Sequence, residues 1–368
     1  MSKPLSAVDC IGPAFTQTKR QLFAPFRLRR WVRLALVCLI LGDFAGGGGG
    51  RAGSFNFPAA RTRGGRGILP IGRFDWSKLL PWLPWILAGV ALIFLFIFLW
   101  IYIASVYRFV LFDSVLYDRC ELKGCWRRWE PRGRSFFYWC LAIFVGSLAG
   151  SCVIIATPLF LAWRAGLFHH PGQHLAALIL GGAAFFFILL AFFLVVALAG
   201  LFAKDFCVPI MAMENVGVVD AWRRLLPILG SEKMAFTGYV LMKIVLAIGS
   251  AVIFGIITFL TLLVLLIPLG ILGAILFFGG KAAGLTFNVA TISILVVMGG
   301  IVLGGILYLI ALISTPAMVF FQSYVLHFMG SRYPALGAVV FPPPQVPPPS
   351  PLDILPMIEP PPEPAPAG

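Results

Sequence analysis

From Leu175 to Phe202 the chain runs for 28 residues without a charged side chain. A helix of that length extends about 42 Å at 1.5 Å per residue, more than the roughly 30 Å of a bilayer's hydrocarbon core. Comparable runs cover Trp85–Val106 and Phe137–Trp163, and a longer one stretches from Ile244 to Gly280. No soluble core can hide so many. In lipid the backbone finds no water to bond, so runs like these must close their hydrogen bonds internally, as helices. Composition agrees: 60% of the 368 residues are hydrophobic and 11% are charged, against about 25% charged in soluble domains.

The sequence therefore predicts an all-α, polytopic transmembrane helical bundle of about six passes, arranged as three hairpins, with interfacial amphipathic helices. The first pass, Leu34 to Phe44, is short and runs into Gly46–Gly50, which form helix poorly, so whether 34–50 spans is left open. The second lies within Trp85–Val106, the third within Phe137–Trp163 and the fourth within Leu175–Phe202. For the fifth, Pro268 and Gly270 suggest a break. Either one pass from Phe236 to Leu266 leads into a kinked or re-entrant piece reaching Gly280, or two passes are present. The sixth lies within Val289–Phe321.

Three domains follow: a cytoplasmic basic amphipathic segment at 1–33, a transmembrane helical domain at 34–335 with a Gly/Arg-rich loop at 46–75, and a Pro-rich disordered tail at 336–368. Phe15, Leu22, Phe23 and Phe26 fall on one face of a helix, with cations opposite. A second one-sided stripe, Val218, Val219, Trp222, Leu225, Leu226 and Leu229, stands beside Arg223 and Arg224. Passes two, four and six each run on into a related segment: Arg108–Asp113, Asp205–Ile210 and Thr315–Phe320. These suggest three successive hairpins.

The net charge of +14 sits beside the apolar spans. That placement points to a bilayer with anionic headgroups as partner, and the absence of a recognition motif speaks against nucleic acid. Lys and Arg also set orientation. Nineteen lie in residues 1–33, 108–136, 204–235 and at Arg332, against eight on the other side, six of them in the 46–84 loop. Both termini are thus expected in the cytoplasm, the protein being in the cell (inner) membrane.

Two ionisable residues are candidates for a site inside the bilayer, where such groups are expensive and usually functional. Asp43 comes ten positions after Arg33, near mid-membrane if the helix is regular, or in interfacial water if it ends early. Lys243 lies two turns into the fifth pass, where its stem favours snorkelling to the headgroups, or, paired with Asp43, it forms a proton-coupling or substrate site. No catalytic, cofactor or metal motif stands out. His169, His170 and His174 share one loop but are broken by Pro171 and Gly172, and Cys120 and Cys125 lack a second ligand pair. Asp113, Asp118 and Glu121 beside Arg119 and Lys123 read as a solvated cytoplasmic helix, and Gly146/Gly150 and Gly300/Gly304 as helix-packing positions.

At Ala14-Phe15, Leu22–Phe26, Arg108–Asp113, Asp205–Pro209 and Asp220-Ala221-Trp222, the chain resembles a group of uncharacterised bacterial six-pass membrane proteins. That group is similar to the membrane domain found fused to glycerophosphodiester phosphodiesterases. The resemblance covers roughly residues 10–335, implies the fold, and carries over no functional residue. The phosphodiesterase domain has no counterpart. The functional expectation is a non-enzymatic membrane scaffold or accessory module serving a membrane or cytoplasmic protein partner, without cofactors. Alternatives are a small transporter or efflux component, or the membrane domain of a lipid-related enzyme system.

Overall fold

A computed structural model describes residues 4–24, 27–42, 81, 83–117, 122–164, 175–282 and 288–341. Every regular element among them is helical. In chain order they are α1 (Ile11–Phe23), α2 (Leu28–Leu41), α3 (Leu83–Leu116), α4 (Leu122–Arg164), α5 (Leu175–Phe202), a π-helical turn (Ala203–Cys207), α6 (Val208–Glu214), α7 (Val218–Ser231), α8 (Lys233–Ala282), α9 (Val289–Gly330) and α10 (Pro334–Val340).

Five helices are long and apolar enough to cross a membrane: Leu83–Leu116, Gly124–Arg164, Ile179–Glu214, Lys233–Gly280 and Thr291–Gly330. They run to 34–50 residues in α3, α4, α8 and α9, or roughly 50–75 Å, well beyond the hydrocarbon thickness. The surplus length forms a packed head at one end. Its core comes from Ser105–Val115 of α3, Ala203–Met211, and Ser314–Met329 of α9. These are the three segments whose similarity is visible in the sequence. The apolar stretches that precede them are open: in four spans the most apolar eighteen residues contain none that are buried, and in the fifth 6% are.

The amphipathic helices close the head. Cys10, just before α1, is buried, and α1 turns Ala14, Thr18, Gln21 and Leu22 inward while Phe15 and Phe23 stay exposed, so the expected single apolar face is divided between head and surroundings. The Gln17 and Gln21 amides donate to the Val115 carbonyl at 3.2 and 2.6 Å, satisfying an acceptor at the end of α3. α7 divides likewise, burying Val218, Ala221 and Leu225 and exposing Val219 and Leu226. The Tyr324 hydroxyl donates to the Ala7 carbonyl at 3.0 Å, so the N-terminal segment and the end of α9 share the head.

Several expectations need correction. α8 is one continuous helix with Pro268 inside it, neither re-entrant nor divided, because a bent helix loses few backbone bonds at one proline whereas a turn in lipid exposes many. The described helix α2 has 14 residues, about 21 Å, less than the hydrocarbon thickness. Near its start the Trp31 indole donates to the Leu312 carbonyl and Val32 accepts from Tyr308, while Leu41 at its end lines a cavity with Met318 and Val325. It therefore advances beside α9 toward the head. The folded part also continues past residue 335, since α10 buries Leu336.

Glycine packing differs from expectation too. A Cβ at Gly146, Gly300 or Gly304 would meet nothing within 4 Å, and only Gly150 packs, against the Phe192 ring. The close approach is instead at Gly133, where a Cβ would come within 2.5 Å of Val106 Cγ2 and 2.8 Å of its Cα.

Candidate functional site

Phe236, Tyr239 and Lys243 are spaced three and four apart near the start of α8, which puts them on one helix face turned into the head. There the Lys243 ammonium does not snorkel: the residue is 4% exposed, and Nζ donates to Asp205 Oδ2 at 2.5 Å. The Tyr239 hydroxyl donates to the same oxygen at 3.0 Å. Aromatic rings enclose the pair, with Tyr239 stacked on Tyr324 at 5.3 Å and packed against Phe328 at 4.6 Å. Two charges are thus buried inside the head, where each depends on the other for solvation.

Asp205 owes its position to the π-helical turn. The Val208 N–H bonds the Ala203 carbonyl, five residues back, which inserts one extra residue between α5 and α6. Such a bulge shifts the face of everything before it relative to everything after, and π-bulges concentrate at functional sites. Here the shift allows Asp205, Phe206 and Cys207 to be buried together while the Leu194–Val195 region of α5 remains exposed.

Beside the ion pair lies a cavity of about 40 Å³, lined by Arg108 of α3, Lys204 and Asp205 of the π turn, Lys243 of α8 and Gln322 of α9. Apolar side chains of Leu41, Leu111 and Phe321 complete it. Arg108 and Asp205 are the first residues of the first two related segments, so the similarity seen in sequence becomes a meeting point in space. Among the described lining residues three are cations and one is a carboxylate. Chemically, this arrangement locks α8 to the α5–α6 junction.

Asp113 is a second buried acid, 6% exposed, not the solvated residue expected. Its Oδ2 accepts from the Cys125 thiol at 3.3 Å, and its Oδ1 has no hydrogen-bond partner among the described residues. Elsewhere an apolar groove of about 440 Å³ lies along Leu260, Val264 and Leu309, between α8 and α9. No group of three or more metal-ligating side chains occurs among the described residues. Asp43, Asp118, Cys120, Glu121 and the three-histidine loop lie outside the described residues. The partner that sequence reasoning missed for Lys243 is Asp205. Its only signal was a Lys-Asp pair flanked by apolar residues on both sides, 38 positions away.

Long apolar helices, a head built from their ends and a buried ion pair at a π turn define an all-α membrane protein. The chain belongs to the family of unknown function DUF7544, which it matches over residues 5–339. No curated protein and no solved structure matches it.

Proposed function

We propose that this protein is a non-enzymatic membrane scaffold or accessory module of the cell membrane. Its head lies at the cytoplasmic face, and its spans present apolar surface to lipid and to a membrane partner. The single observation behind this reading is that the most apolar stretch of four spans contributes no buried residue. A bundle that encloses its own substrate route packs its spans around it, whereas these spans pack mainly through their ends. The concentration of Lys and Arg in the segments that build the head supports the cytoplasmic placement.

A photocrosslinking amino acid placed at Leu92, Phe187, Leu260 or Val297, all exposed on spans, tests the scaffold in intact membranes. A discrete protein adduct at one or more positions is the expected result. Lipid adducts alone at all four would sink it.

The buried Asp205–Lys243 pair at a π turn favours a second reading, a small transporter that moves protons or couples to them. Proteoliposomes loaded with a pH-sensitive dye distinguish the two. Potential-driven proton entry that disappears in Lys243→Ala would establish transport, and no protein-dependent entry would remove it. The third reading, a membrane domain serving a lipid-related enzyme, rests on the resemblance to the domain associated with glycerophosphodiester phosphodiesterases, and it makes the scaffold's partner an enzyme of phospholipid chemistry.

A further inference from the structure

We infer that α1 is a strap held against the head by anionic phospholipid of the cytoplasmic leaflet, which binds the outward basic face formed by α1 and the start of α2. Between Asp9 and Asp43 the sequence carries six cations, Lys19, Arg20, Arg27, Arg29, Arg30 and Arg33, and no acidic residue. Lys19, Arg20, Arg27 and Arg29 are exposed, and Phe15, Phe23 and Leu28 are exposed among them. A surface that mixes fixed positive charge with large apolar side chains suits an anionic bilayer: the cations meet headgroups while the apolar groups enter the acyl boundary. A soluble acidic partner would match the charge alone.

The two faces of α1 do different things. Its inner side closes the head, since Ala14, Thr18, Gln21 and Leu22 are buried and the Gln17 and Gln21 amides donate to the Val115 carbonyl. Its course along α9 decides which end meets the bilayer. Just before α1, the Ala7 carbonyl accepts from the Tyr324 hydroxyl. At the other end Phe23 packs edge-to-face on Trp31 at 5.3 Å, and the Trp31 indole donates to the Leu312 carbonyl at 3.0 Å. Residues 312 and 324 stand about 18 Å apart along α9, so α1 climbs from the head toward the spans, against the chain direction of α9. Lys19, Arg20, Arg27 and Arg29 therefore lie toward the span-side end of the strap. There α9 presents exposed Leu303 and Leu307, and the Tyr308 hydroxyl donates to the Val32 carbonyl. The basic face is continuous with the apolar surface of a span, and Trp31 and Tyr308 suit the headgroup level. A lipid bound to the outer face of a strap whose inner face packs the head favours the closed strap over the open one.

This inference rests on the membrane-module reading, yet the two fail separately: crosslinks report what the spans touch, whereas the alkylation rate of Cys10, buried just before α1, reports the opening of the strap. The full chain is reconstituted in phosphatidylcholine, and in phosphatidylcholine with about one third phosphatidylglycerol, an anionic lipid. A membrane-permeant maleimide is added, and the modified Cys10 peptide is followed by mass spectrometry. Comparing variant with native protein in the same bilayer cancels the effect of surface charge on thiol reactivity. Lys19→Gln with Arg20→Gln is expected to speed Cys10 alkylation about tenfold in the phosphatidylglycerol bilayers and to leave it unchanged in phosphatidylcholine alone. Loss of nearby cations by itself makes a thiol less acidic, so an acceleration reports opening. Arg223→Gln, which removes an exposed cation on α7, is expected to change neither rate.

No acceleration in the phosphatidylglycerol bilayers would overturn the inference and leave the basic face to an acidic protein. Equal acceleration in both bilayers, or the same acceleration in Arg223→Gln, would overturn it in favour of a general loosening of the head. Should the α1 double variant fail to fold, Arg27→Gln with Arg29→Gln carries the same comparison.

Discussion

Lys243 and Asp205 illustrate how a buried charge is tolerated only in company. Removing one partner leaves the other uncompensated, so Lys243→Met or Asp205→Asn alone is expected to destabilise the head by about 3–5 kcal/mol. The double replacement Asp205→Leu with Lys243→Met restores most of that loss, because two apolar groups need no solvation. Thermal unfolding of the four proteins in one detergent checks the cycle, and additive losses would refute the pairing. Cys10 lies at the head's edge, outside the spans, where burial pushes its thiol up to about 11, Arg332 pulling it down and Asp9 raising it. At neutral pH it is therefore a protonated, inert thiol. Alkylation followed by mass spectrometry should find Cys10 unmodified in the folded protein and modified once it is unfolded. Modification at the same rate in both states would contradict its burial.

Among the elements, the α3–α4 contact and the π turn depend most closely on individual residues. Gly133→Ala places a methyl against the Val106 backbone, which cannot rotate away, and should cost about 1–3 kcal/mol, whereas Gly146→Ala should cost almost nothing. Unfolding midpoints decide between them, and equal effects would refute the close approach. Deleting Ala203 converts the π turn into regular helix and rotates Asp205 away from Lys243 by about 100°. The expected result is a loss of stability as large as that of Asp205→Asn, and a deletion without effect would show that the extra residue does not aim the acid. The small-xxx-small pattern was legible in the sequence at Gly146 and Gly150, but spacing does not say what arrives: nothing meets Gly146, the Phe192 ring meets Gly150, and Gly133, outside any such pattern, meets the Val106 backbone. The amphipathic faces of α1 and α7 were legible as stripes. Their division into an inner and an outer half was not, because periodicity marks which residues avoid water and not what replaces it.

For the molecule as a whole, the head places α1, the end of α9 and α10 together, while Arg164 ends α4 at the opposite end. In a cysteine-free background, Ser331→Cys should react with a membrane-impermeant maleimide only from the cytoplasmic side, and Arg164→Cys only from outside. The reverse pattern would invert the proposed orientation. The sequence by itself determined that the chain is helical and lipid-solvated, because uncharged runs longer than the bilayer is thick leave no other folding solution. It also marked the three related segments and the isolated charge of Lys243. Only the tertiary structure decided that α2 runs beside α9 into the head, that α8 continues through Pro268, and that Lys243 turns inward to Asp205. Those outcomes depend on partners distant in the chain, and a one-dimensional pattern of apolar and charged residues records what each segment needs without recording which other segment supplies it.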